Sequence, residues 1–153
     1  MAKWTFEPGH TAAEFAARHM MVSWVRGAFK DVHGKMEFDP GDPASSSVEV
    51  EIDVKRLWSG DAARDGHLIA ADFLDADNHP KITFKGEEVS LDGENDFRVT
   101  GALTIRGVTK TSTLNVRYLG QWPTPFWEDG VTRGLRYELD FTQQPPSTDT
   151  ILA

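Results

Sequence analysis

The sequence predicts an all-β fold, with seven or eight antiparallel strands whose sheet buries its apolar face on itself as a barrel or sandwich. Three observations lead there. Apolar and polar residues alternate with period two along most of the 153-residue chain. Turn-forming clusters separate the alternating runs at short intervals, as in a meander. A single short stretch has helical character, which leaves too little helix to cover a one-faced sheet. A closed barrel would also remove the exposed edges of such a sheet.

The elements follow in chain order. A first strand begins almost at Met1, before the turn at Glu7-Pro8-Gly9. Ala13, Phe15 and Ala17 mark the next strand, and apolar residues continue from Val25 to Phe38. In that stretch the parity shifts between Phe29 and Met36/Phe38, which predicts a bulge or bend near Asp31–Gly34. After Asp39-Pro40-Gly41-Asp42-Pro43 the alternation is clearest: Val48, Val50, Ile52 and Val54 share one face, and Glu49, Glu51, Asp53 and Lys55 the other. Residues 61–76 form the helical insertion, with Asp61 as N-cap and Ala63, Leu68 and Phe73 on the covered side of a lid. Strands then resume at Ile82/Phe84, at Phe97/Val99/Gly101/Leu103/Ile105, at Leu114/Val116/Tyr118 and at Leu135/Tyr137/Leu139/Phe141. Turns at Asp92–Asp96 and Arg106–Thr109 and the aromatic stretch Gln121–Gly130 join them. The chain reads as one domain, 1–153, ending in a polar, proline-containing tail at 143–153.

Composition narrows the function. Twenty-four acidic against 16 basic side chains give a formal net charge of −8, which opposes binding to phosphate backbones and attraction to anionic lipid surfaces. Zero cysteines exclude disulfides, thiol nucleophiles and thiolate metal sites. The five histidines show no metal-ligand spacing, and there is no nucleophile elbow, phosphate loop or dinucleotide fingerprint. No metal or cofactor is therefore expected, and no enzyme activity. No window approaches the ~18 apolar residues that span a bilayer, so stable membrane insertion is not expected. The opening residues lack a signal-peptide pattern. A cytoplasmic location is the expectation, or a periplasmic or secreted one if a signal was removed.

Arg64-Asp65-Gly66-His67 is the densest polar cluster. One reading has Asp65 orient His67 for acid/base chemistry. A second has Arg64 and His67 meet a ligand's polar head. A third has Arg64 and Asp65 pin the helix to neighbouring strands while His67 bonds to backbone. Without a nucleophile nearby, catalysis ranks last. The apolar interior is drawn from Phe15, Met20, Met21, Val25, Phe29, Met36, Phe38, Phe73, Phe84, Leu103, Leu114, Leu135, Tyr137 and Phe141. It is either a packed core or the wall of a ligand site. The adaptable Met20-Met21 pair and small residues at Ala13, Ala17, Gly86 and Gly101 favour the wall. Trp122-Pro123-Thr124-Pro125-Phe126-Trp127 is either a hydrophobic rim for docking to a membrane or partner or, the commoner outcome, a loop folded over one end of the barrel.

Several ordered blocks resemble the YceI-like family. They are His10–His19, Val25-Arg26-Gly27-Ala28-Phe29, Arg64-Asp65-Gly66-His67-Leu68, Ala71-Asp72-Phe73-Leu74-Asp75, His79-Pro80-Lys81-Ile82-Thr83-Phe84, Val99–Lys110 and Arg133-Gly134-Leu135. The resemblance implies an eight-stranded antiparallel lipocalin-like barrel that binds a polyisoprenoid or related long-chain lipid, and often a homodimer. Carried onto this chain, it places Phe15, His19, Phe29, Phe73, Phe84 and Leu103 along the ligand. Met20, Phe38, Leu114 and Tyr137 join them from the apolar pattern, and Arg64 and His67 stand at the entrance. The expected function is to hold a polyisoprenoid, isoprenoid quinone or fatty-acid derivative for carriage, storage or sensing. The rival is a solid-core barrel acting through its surface in stress response. One departure from the family pattern is Leu139-Asp140-Phe141-Thr142, where the family carries an Arg before and a Gly after Asp-Phe.

Overall fold

The computed structural model describes residues 2–6, 8–19, 22–39, 41–118 and 139–140, with the side chains of Ala2, His10, His19, Leu139 and Asp140 outside that description. Met20, Met21, Leu135, Tyr137, Phe141, the 121–130 loop and the 143–153 tail also lie outside the described residues.

The described chain is mostly antiparallel β. In order it contains β1 (Ala2–Thr5), β2 (Ala13–His19), β3 (Ser23–Phe29), β4 (His33–Phe38), β5 (Ser47–Asp53), β6 (Leu57–Trp58), α1 (Ala62–Leu68), β7 (Lys81–Leu91), β8 (Asp96–Ile105), β9 (Val108–Arg117) and β10 (Leu139–Asp140). Seven strands form one sheet in the order β1-β4-β5-β7-β8-β9-β10, and β2-β3-β6 form a second. Eight strands in one barrel were expected. The described residues give ten strands in two sheets that share no ladder, because the alternating run from Val25 to Phe38 is divided between them. The division falls where the parity shift predicted it. Asp31 takes a left-handed φ of 55°, and the chain leaves β3 in the small sheet to enter β4 in the large one.

Period two holds where it was clearest. Val48, Val50 and Ile52 turn toward the core, while Glu49 and Glu51 on the opposite face pair with Lys35 and Lys81 on neighbouring strands. β5 stops at Asp53, however, whose carboxylate accepts the Lys55 amide at 3.0 Å and starts a 3-10 turn. Val54 thus leaves the strand but is, at 1% exposed, the largest fully buried side chain described.

Rows of inward side chains cross the large sheet. Val50, Phe84 and Leu103 align on β5, β7 and β8, and Val89, Val99 and Leu114 align on β7, β8 and β9. Between those rows the β7–β8 ladder slips by one residue at Gly86–Glu88, a β-bulge. The extra residue lets Ile82, Phe84 and Val89 all reach the core although their spacing breaks strict alternation. Gly86 and Gly101 face each other at this point. A Cβ on Gly101 would lie 2.1 Å from the Lys85 carbonyl oxygen, and one on Gly86 would lie 2.7 Å from Val48. These small residues therefore permit a sharp bend of packed strands and do not leave room for a ligand, contrary to their sequence reading.

The helical insertion is shorter than residues 61–76. Asp61 caps α1 as expected, accepting from the amides of Ala63 and Arg64 at 3.0 and 3.1 Å. The helix ends at Leu68, and the following carbonyls are taken by turns: Leu68 accepts from Leu74, Ile69 from Ala76, and Ala70 from both Phe73 and Asp75. Leu74, five residues after Ile69 and two before Ala76, falls off the helical stripe those two would share, and the turn brings all three against Val54 and Ile82. Ala63, expected on the covered side, is exposed.

Replacing Gly101 with Ala forces backbone apart at the bend. Overpacking of this kind predicts a loss of about 1–3 kcal/mol, read as a lower urea midpoint at an unchanged slope.

Candidate ligand site

The inner faces of the two sheets meet over a continuous apolar surface. One cluster buries Phe84, Val89, Phe97, Val99 and Leu114, with Phe38 and Leu103 packed against it. Phe38 meets the Phe97 ring edge-on at a centroid distance of 5.1 Å. A second cluster buries Val54, Ala76 and Ile82, with Phe29, Ile69, Leu74, Ile105 and again Leu103 around it. Leu103 joins the two clusters, and Phe29 ties the small sheet to the large one.

Phe15 extends this surface along the small sheet. It pairs with Gly27 across β2 and β3, and its ring fills the space a Cβ there would need, 2.5 Å from the nearest ring carbon. That leaves Phe15 lying flat enough to contact Phe29, with centroids 5.6 Å apart. Of the residues singled out in the sequence, Phe15, Phe29, Phe38, Phe84, Leu103 and Leu114 therefore belong to one apolar face. Phe84 and Leu114 are buried within it, and Phe15, Phe29, Phe38 and Leu103 are half-buried. Phe73 stands apart, half-buried in the turn after α1, where its ring meets His67 edge-on at 4.8 Å.

The polar residues divide differently from the sequence reading. Arg64 donates from Nε to the Ser59 hydroxyl at 2.8 Å and from Nη2 to the Ser59 carbonyl at 2.7 Å. The same hydroxyl donates to the Asp65 carboxylate. Ser59 is buried and follows directly on β6, so Arg64 and Asp65 together moor α1 to the small sheet. This is the pinning role, made through a serine that no sequence signal marked. His67 does not pair with Asp65 or with backbone; its Nε2 lies 2.7 Å from Asp72, on an exposed rim. Asp65 is already held by Ser59, and the turn after Leu68 carries Asp72 back to the ring.

Arg106 completes this end of the site. At the turn between β8 and β9 it adopts φ 48° and donates to the carbonyls of Phe73 and, at 2.9 Å, Ala71. The sequence marked Arg106 only as a turn residue. Its two bonds clamp the segment after α1 onto the β8–β9 hairpin and so hold Leu74 and Ala76 over the second cluster. Among the described residues, no group of three His, Asp or Glu side chains comes together as metal donors. No helix described is long and apolar enough to cross a membrane.

The hydrogen bond with His67 holds the Asp72 carboxyl below the usual carboxylate range. Amide bonds from Arg64 and Ala63 do the same for Asp61. Both folded values lie below the unfolded ones, so their contribution is complete above the ordinary carboxylate range and is lost as pH falls through the folded values. Hydrogen exchange across residues 61–79 is expected to quicken on that acid side, with a smaller pH response in Asp72→Asn. Arg106→Ala, which removes two charge-assisted bonds, is expected to open the same segment at neutral pH by about 1–3 kcal/mol while β7–β8 amides stay protected.

The model of the YceI-like domain matches residues 4–145. A curated relative from Pectobacterium carotovorum, described as a UPF0312 protein, is 39% identical over 124 residues, 81% of this chain, and the match spans 64% of the relative's length. The crystal structure of Burkholderia cenocepacia BcnA is similar at a TM-score of 0.65 and 31% identity, covering 70% of this chain and 66% of that one. The Campylobacter jejuni YCEI protein reaches a TM-score of 0.67 at 29% identity, covering 91% of this chain and 79% of that one. An antiparallel fold built on a bent sheet, a moored α1 and these matches lead to one conclusion: the chain belongs to the YceI-like domain family.

Proposed function

We propose that this protein binds a long-chain apolar molecule, a polyisoprenoid, isoprenoid quinone or fatty-acid derivative, against the inner face of its sheets, and carries out no chemistry on it. One observation carries the reading: large apolar side chains turned to the interior, Phe15, Phe29 and Leu103 on the sheets and Leu74 on the segment after α1, are only half-buried by the protein's own residues. Covering them with a hydrocarbon chain would contribute about 25 cal/mol per Å² of apolar area removed from water, before the costs of association. The resemblance to lipid-binding members of the family supports the same ligand class.

In this reading the two sheets wall a lipocalin-like site around the ligand. The chain of the ligand runs along Phe15 and Phe29 toward Leu103, where the Phe84, Val89, Phe97, Val99 and Leu114 cluster stops it. Arg64 serves the site by mooring α1, and His67 with Asp72 offers the polar rim a head group would meet. The rival solid-core reading draws on the same cluster, whose five members are each at most 6% exposed.

An organic extract of the purified protein, analysed by mass spectrometry, separates the two. A long-chain lipid in near-stoichiometric amount is expected. Leu103→Trp, which fills the junction between the clusters at a cost of about 1–3 kcal/mol, is expected to reduce it severalfold while the protein still folds. A lipid-free extract from folded protein, unchanged after incubation with isoprenoid or fatty-acid lipids, would overturn the proposal in favour of the solid core.

A further inference from the structure

The outer face of the small sheet places its cations differently from the large sheet. On the large sheet, five cations are matched to carboxylates, Lys3 to Glu37, Lys35 to Glu49, Lys81 to Glu51, Arg98 to Asp92 and Arg117 to Asp96, while the exposed Lys85 and Lys110 have neither a carboxylate nor an aromatic ring as partner among the described residues. On the outer face of β2-β3-β6 the register brings Arg18 opposite Trp24, Ala16 opposite Arg26 and Ala28 opposite Trp58, with Lys30 just beyond β3. Here the cations lie against aromatic rings. The Arg18 guanidinium sits 5.4 Å from the Trp24 ring centroid, and the Lys30 ammonium 5.6 Å from that of Trp58. Arg26, between them, is exposed and holds no carboxylate among the described residues.

Trp24 and Trp58 are 59% and 56% exposed, and Val22, in the turn leading into β3, is 89% exposed. Indole rings cost free energy when left in water unless something covers them. A chain of net charge −8 has thus gathered on one face exposed tryptophans and cations that have no carboxylate partner among the described residues, with Glu14 the acidic residue described on that face. We propose that this face docks the protein on an anionic lipid surface, with Trp24, Trp58 and Val22 at headgroup level and Arg18, Arg26 and Lys30 against the lipid phosphates.

Charge decides among the occupants. A second copy meeting this face two-fold would set Arg18, Arg26 and Lys30 against the same three cations, which opposes an isologous dimer. An anionic bilayer attracts the same residues by about fivefold in affinity for each cation. Tryptophan favours the bilayer interface, where one edge is wet and the rest apolar. The remaining surface, more acidic than the chain as a whole, is repelled by such a membrane and so orients the protein with this face down. The net charge that argues against membrane attraction therefore hides its own exception. Docking here is peripheral and independent of any bound ligand.

Sedimentation of the whole protein with phosphatidylcholine vesicles, with and without phosphatidylglycerol, tests it. Binding to the phosphatidylglycerol vesicles alone is expected, and its loss in high salt. Arg26→Gln is expected to weaken it about fivefold, and Trp24→Ser together with Trp58→Ser to abolish it. Lys85→Gln, on the large sheet, is expected to leave it unchanged. All these positions are exposed, so circular dichroism should stay that of the parent. Equal binding to both vesicle types, or indifference to Arg26→Gln, would overturn the proposal. No vesicle binding combined with retention on immobilised polyglutamate would replace it with an acidic protein partner. A dimer dispersed by Trp58→Ser, again without vesicle binding, would replace it with a second copy.

Discussion

A sheet with one apolar face must curve until that face is covered, and here the curvature depends on the contact of Gly86 with Gly101 across β7 and β8. The two backbones approach so closely that the Lys85 carbonyl occupies the place of a side chain on Gly101. The adjoining bulge adds one residue to β7 and resets its parity, so that Phe84 on one side and Val89 on the other both turn inward. Everything that fills the interior follows from that bend: the rows through Leu103 and Val99, and the meeting of both with the core beneath the small sheet.

The segment from Ser59 to His79 depends on the same interior. It is held from two sides, by Ser59 through Arg64 and Asp65 and by Arg106 through the carbonyls of Ala71 and Phe73. Between these moorings the chain turns back on itself and presents Ile69, Leu74 and Ala76 to Val54 and Ile82. The polar residues at this end are thus mostly engaged in placing apolar ones. That division is what a binding protein needs at the edge of an apolar site: fixed walls, with charge kept to the rim.

The two sheets carry different outer faces for a related reason. Across β4, β5 and β7, Lys35 with Glu49 and Lys81 with Glu51 link neighbouring strands, as cross-strand charges do on a solvated sheet. The small sheet has Arg18 and Lys30 over tryptophan rings, with no carboxylate partner for either among the described residues.

Period-two patterning determined from sequence alone that the chain is antiparallel β, which faces of β5, β7, β8 and β9 are apolar, that Asp61 caps a helix and that the chain bends near Asp31. These are local properties, written in alternation and in turn chemistry. The inward positions of Phe15, Phe29, Phe84, Leu103 and Leu114 were legible for the same reason, since an inward position on a strand follows from parity. Tertiary structure alone decided the rest. The bulge after Gly86 depends on how β7 and β8 pair, and a slip of one residue leaves no mark in either strand alone. The partnership of His67 with Asp72, and of Arg64 with Ser59, depends on where the chain returns after Leu68. The run from Val25 to Phe38 alternates almost as one strand would, yet it serves two sheets. Alternation says which side of a strand is buried; only packing says against what.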